Sequence, residues 1–103
     1  MIARHWSGLC RKENANDYIQ HLLEETFKEL KQMDGFRKAS ILTKEGEEGT
    51  LFLIITLWNS IDSIKAFAGN DVETAVVPEK VQQMMIHYES RVQHYEIRTE
   101  VTT

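Results

Sequence analysis

The chain has 103 residues, with 16 acidic against 12 basic side chains and a formal charge of −4. That length makes one domain, residues 1–103, with a modest core that buries about 65% of the extended chain's surface. An acidic surplus leaves no electrostatic footprint for nucleic acid or an anionic membrane. No apolar run approaches the roughly 20 residues of a membrane span, and a single cysteine, Cys10, excludes an internal disulfide or a cysteine metal cluster.

The start, MIARHW, has polar residues where a signal peptide needs an apolar block. With the lone thiol this points to a soluble protein of the reducing cytoplasm. Residues 1–11 read as a first strand, in which Gly8 suggests a bulge. Asn14 then stands as an N-cap with Asp17 three residues on, and Tyr18, Ile19, Leu22, Leu23, Phe27, Leu30 and Met33 recur at helical spacing. Asp34-Gly35 stops that helix, residues 36–44 form a second strand, and the acidic residues 45–49 make an exposed hairpin turn.

The third strand, Thr50–Trp58, sets the architecture. One face carries Leu51, Leu53, Ile55 and Leu57, the other Phe52, Ile54, Thr56 and Trp58, with no charge on either. Alternating side chains point to opposite sides of a sheet, so both sides need cover here. Asn59-Ser60 caps a short helix through Ile61, Ile64 and Phe67 that ends at Gly69-Asn70. Residues 71–77 suggest a further helical turn, and Pro78 opens a third piece through Val81, Met84 and Met85. Residues 89–99 alternate as a last strand, with Val92, His94 and Glu96 on one side and Arg91, Gln93, Tyr95 and Ile97 on the other.

The order strand, helix, strand, strand, helix, strand is that of an α+β fold. With right-handed crossovers it closes into a four-stranded antiparallel sheet of order 4-1-3-2, both helices on one face. Nothing in the chain remains for the other face, and a second copy is the economical cover. A homodimer joined sheet to sheet through Leu51, Leu53, Ile55 and Leu57 is therefore expected.

Candidates for chemistry are few. Histidines 5, 21, 87 and 94 have no partner at a metal-ligand spacing, so no metal site is expected. His21 lies beside the helical stripe and reads as a surface or half-buried residue. His5 and His94 fall on neighbouring strands, where they either share a cavity or rest as strand residues satisfied by backbone or water. Trp58, with Phe27, Phe67, Met84 and Met85, either packs the core or walls a pocket for an aromatic ligand between sheet and helices. There is no glycine-rich phosphate loop and no Gly-x-Ser-x-Gly elbow.

The segments MIARHW, Asp34-Gly35-Phe36-Arg37, ITLWNS at 55–60, AFAGND at 66–71, AVVPE at 75–79 and RVQHYEI at 91–97 together resemble the antibiotic biosynthesis monooxygenase family over nearly the whole chain. The resemblance implies a dimeric α+β barrel of ferredoxin-like subunits. It also implies one of several activities: quinone formation from phenols without a cofactor, quinol oxygenation, or haem degradation. The quinone-forming members have a Trp at the end of the third strand, matched by Trp58. Their Asn four residues earlier and Tyr six later are replaced by Ile54 and Ile64. Haem-degrading members have an Asn, a Trp and a His where this chain has Ser7, Phe67 and Val77, so haem degradation would need His87 or His94 in a different geometry.

The first expectation is therefore a cofactor-independent monooxygenase for a small phenol- or hydroquinone-like aromatic. Its base is His94 or His5, and its oxyanion donor is Tyr95 or Arg4. Its cavity is lined by Trp58, Phe27, Ile54, Ile64, Phe67, Met84 and Met85. His94 and Tyr95 are adjacent on a strand and face opposite sides, so at most one belongs to the site. The alternative is a non-enzymatic dimeric module that binds a small apolar molecule or serves as an interaction domain, for which the Ile54 and Ile64 replacements speak.

Overall fold

The computed structural model describes residues 1–103. Strand β1 (Ile2–Cys10) pairs antiparallel with β3 (Thr50–Trp58) along its whole length, from Ile2 opposite Trp58 to Cys10 opposite Thr50. On the far side of β3 lies β2 (Phe36–Glu45), joined to it by the acidic turn at 46–49. The other edge of β1 is shared by two short strands, β4 (Met85–Tyr88) and β5 (Gln93–Glu96). The sheet order is β2-β3-β1-β4, with β5 also on β1, which is the ferredoxin-like arrangement that the element order predicts.

The helical layer departs further from the sequence reading. Asn14 makes no side-chain cap; the chain instead enters through a 3-10 turn at Lys12–Asn14 and continues as α1 (Ala15–His21). One π-helical turn, Leu22–Thr26, then leads into α2 (Phe27–Leu30). Gly35 turns the chain at φ 87, the left-handed region a C-terminal glycine takes. Helix α3 (Ile61–Ala68) is closed at its start by Ser60 and Ser63, each side chain bonded to the other's backbone.

Three expectations are corrected here. Residues 71–77 form no helix: a single turn, with the Thr74 amide donating to the Asp71 carbonyl at 3.1 Å, gives way to a bridge from Thr74 to Arg91, and the Val92 amide donates to the Glu73 carbonyl at 2.8 Å, which ties the segment to the link between β4 and β5. Helix α4 spans only Glu79–Gln82, and Met85 opens a strand instead of closing a helix. The last strand of the sequence reading is interrupted because, after the Glu89 amide bonds the Ser7 carbonyl of β1, residues 90–92 turn away to meet residues 73–75. Gly8 marks no bulge against β3, and the register of β1 shifts one residue further on, between Leu9 and Cys10, against β4. The glycine leaves room for the Trp6 ring, whose edge would stand 2.6 Å from an added Cβ.

The faces of β3 fall as its alternation predicts. Phe52 and Trp58 are fully buried under the helices, with Ile54 and Thr56 between them. Leu51 keeps 41% of its surface exposed on the opposite side, beside half-buried Leu53, Ile55 and Leu57, and no helix crosses that side. No helix is long and apolar enough to span a membrane.

Candidate active site

The alternation of β1 sends Arg4 and Trp6 toward the helices and His5 and Ser7 away from them. Arg4 stands opposite Thr56 on β3 and opposite His94 on β5. These three share the helix-facing side of the sheet. Beside Arg4 and Thr56 lies a pocket of about 70 Å³ whose wall also includes Phe67, His21, Thr26 and residues 76–78, while His94 lies outside that wall.

Arg4 is the unusual group. Only 5% of it is exposed, yet no ion pair of the chain includes it. Its Nη1 donates to the Val72 carbonyl and, at 2.9 Å, to His94 Nε2; its Nη2 donates to the Thr74 carbonyl at 2.9 Å. The guanidinium lies 5.7 Å from the centre of the Phe67 ring, within reach of a cation–π contact. Burial lowers its pKa to about 10, so it remains a cation at neutral pH. A buried cation is costly unless it is paired, and here neutral acceptors and a ring face are the only compensation.

His94 is held neutral, its pKa lowered first by burial and then by the Arg4 charge, against a weaker upward pull from Glu73. Nε2 must then accept from Arg4, which puts the proton on Nδ1 by inference from the hydrogen bond. Its geometry suits it to orienting the guanidinium.

His21, read from the sequence as a surface or half-buried residue, is 6% exposed and lines the pocket. Its Nδ1 lies 3.2 Å from a Glu25 carboxylate oxygen and its Nε2 3.3 Å from the Thr26 hydroxyl. The π-turn explains the second contact. Residues five apart do not stack in an α-helix, but a π-turn, with its i to i+5 hydrogen bonds, brings them together. The i, i+4 spacing of His21 and Glu25 was the one available signal. The turn that rotates both Thr26 and the ring into the pocket has no mark in the pattern of apolar residues.

Of the residues singled out from the sequence, Arg4, Phe27, Ile54 and Phe67 line this pocket. Trp58 and Ile64 lie behind its wall, fully buried. The Trp58 indole packs on Phe67 and Phe36 and donates to the Thr56 hydroxyl at 2.9 Å. Because that oxygen already accepts, its own hydrogen is free to serve another acceptor. Met84 and Met85 sit away from the pocket, Met85 against Gly8. His5 and Tyr95 meet at a tilt of 59° with ring centres 4.9 Å apart on the opposite face, in a wider depression of about 320 Å³ with Leu53 and Gln93.

With this geometry in place, the chain belongs to the antibiotic biosynthesis monooxygenase family, whose profile matches residues 9–79. No curated protein sequence matches it significantly. Among solved structures it is similar to a candidate antibiotic biosynthesis monooxygenase from Bacillus cereus, with TM-score 0.68, 14% identity, and coverage of 99% of this chain and 95% of that one. It is also similar to SnoaB, a cofactor-independent oxygenase from Streptomyces nogalater, with TM-score 0.64, 10% identity, and coverage of 99% and 97%. A third likeness is to MhuD, a haem degrader from Mycobacterium tuberculosis that holds two haems in its active site, with TM-score 0.62, 13% identity, and coverage of 99% and 100%. At these identities the structural likeness establishes the fold.

Haem does not fit this pocket. The space of about 70 Å³ is far below the roughly 300–1,000 Å³ of ordinary ligand sites, and both nitrogens of the one histidine in its wall are engaged by Glu25 and Thr26.

Proposed function

We propose that the chain is a cofactor-independent monooxygenase that takes a small phenol or hydroquinone as its anion beside Arg4. The observation that carries this reading is a buried guanidinium, free of any carboxylate, in the wall of an otherwise largely apolar pocket. A phenolate there pairs the cation and meets donors pre-set for negative charge. A dry pocket also strengthens that attraction.

The chemistry balances without an added reductant. A phenol with a free para position and dioxygen give a quinone and water: one oxygen atom ends on the ring carbon, the other in water, and the phenol supplies all four electrons. Ionisation of the phenol raises its electron density enough to reduce oxygen, and Arg4 stabilises the anion that does so. The present volume suits a single ring only after the wall yields, since a benzene-sized ring needs roughly 150 Å³. Val76–Pro78 is the part of the wall that belongs to neither a helix nor a strand.

The sheet face bearing Leu51, Leu53, Ile55 and Leu57 is proposed to close against the same face of a second copy. Burying those four side chains is worth about 1.5–3 kcal/mol each. Light scattering at low micromolar concentration is expected to give twice the chain mass, and a stable folded monomer there contradicts the dimer.

Oxygen uptake tests the function. Protein treated to remove metals is expected to consume oxygen with at least one member of a panel of single-ring phenols and hydroquinones, with quinone appearing in step. A second reading, a binding module without turnover, is favoured by Ile54 in the pocket wall and Ile64 behind it, where the quinone-forming relatives have polar groups. Saturable binding across the panel without oxygen uptake would select it.

A further inference from the structure

We infer that His21 is the general base of this pocket, held in register by Glu25 and joined to the substrate through the Thr26 hydroxyl. The inference rests on the proposed phenol chemistry for its substrate class, but not on turnover. Three features converge on it. His21 is a buried titratable group in the pocket wall. Glu25 accepts from Nδ1–H, which fixes the tautomer that leaves Nε2 as a proton acceptor. The π-turn Leu22–Thr26 sets the Thr26 hydroxyl on that nitrogen, and both side chains line the same space as Arg4. Turns of this kind recur at functional sites.

The surroundings complete the arrangement. Glu25 also accepts from Lys80 at 2.9 Å, and those two contacts, the Lys80 hydrogen bond first, hold its carboxyl below the usual carboxylate range, so it stays ionised beside the ring. Tyr18 stacks against His21 with ring centres 6.5 Å apart; burial, then nearby Cys10, raises its pKa, so it remains a neutral phenol. Arg4 stands in the same pocket wall and supplies the cation that a phenolate there would meet. In the proposed step the substrate O–H bond breaks, its proton reaches Nε2 by way of Thr26, and the electron pair stays on the oxygen that faces Arg4. His94 cannot do this while its Nε2 accepts from Arg4.

The probe is 4-nitrophenol, whose anion absorbs at a longer wavelength than its neutral form. Titrated with pH while bound to wild-type protein, the anion band is expected to persist to lower pH than in His21→Gln. The variant's band should shift toward alkaline pH by one unit or more, and Glu25→Gln, in which the ring keeps an acceptor but loses the carboxylate's charge, should shift it by a smaller amount. Glu25 is an exposed carboxylate, so that variant tests the inference even if the buried substitution fails to fold. Added imidazole should restore the band in His21→Ala. Identical bands in wild type and the folded variants overturn the assignment of the base. Retained anion capture without oxygen uptake by wild type overturns the oxygenase reading instead, and supports the base.

Discussion

Arg4→Leu is expected to lower kcat/KM for phenol oxidation about 100- to 1,000-fold, the usual effect of removing one donor to a developing oxyanion. The loss should fall on substrates that bind as anions, because the apolar wall formed by Phe27, Ile54 and Phe67 is untouched. Arg4→Lys keeps the charge but loses the planar fork that reaches Val72, Thr74 and His94 together. It should retain about a tenth of the activity while loosening residues 72–74. The substitution also removes donors from two carbonyls, each worth about 1–3 kcal/mol if left dry, so steady-state rates need to be read beside a urea titration. A folded Arg4→Leu protein with wild-type kcat/KM would show that the guanidinium serves the fold alone.

Trp58→Ala is expected to cost about 3–5 kcal/mol of stability, the range for emptying a large aromatic site. That is a large share of the roughly 5–15 kcal/mol that holds such a domain folded. Trp58 is fully buried and its ring meets Phe36 and Phe67, so its removal opens the space between β3, the start of β2 and α3. Trp58→Phe preserves most of that packing and leaves the Thr56 oxygen without its donor, for about 1–2 kcal/mol. Urea unfolding midpoints separate the two. A further drop in kcat for Trp58→Phe, at little cost in stability, would mark Trp58 as a positioning residue that aims the Thr56 hydroxyl.

The architecture was legible because β3 lacks alternation. Two apolar faces on one uncharged strand require cover on both sides, and the single charged break at 45–49 sets its pairing with β2. The family segments lie on the same framework, which is why resemblance and periodicity agree. The site was less legible. Arg4 was visible as a candidate since β1 alternation sends it inward, whereas its lack of a carboxylate partner depends on contacts 68 to 90 residues away.

His21 was missed for a local reason: an ideal helical wheel puts it at the edge of the stripe, and only the π-turn brings it and Thr26 together. The broken last strand was missed because Val92, His94 and Glu96 alternate well, and periodicity cannot register that residues 90–92 leave β1 to satisfy residues 73–75. His5 and Tyr95 lie on the face proposed for the second copy, away from the pocket beside Arg4.

The most direct test of the account uses isotopically heavy dioxygen with metal-depleted protein and whichever single-ring phenol is consumed fastest. The expected result is one labelled oxygen in the quinone and one in water, with no added reductant and with the rate cut at least a hundredfold in Arg4→Leu. A quinone free of label, or a rate that needs added metal or reductant, would contradict it.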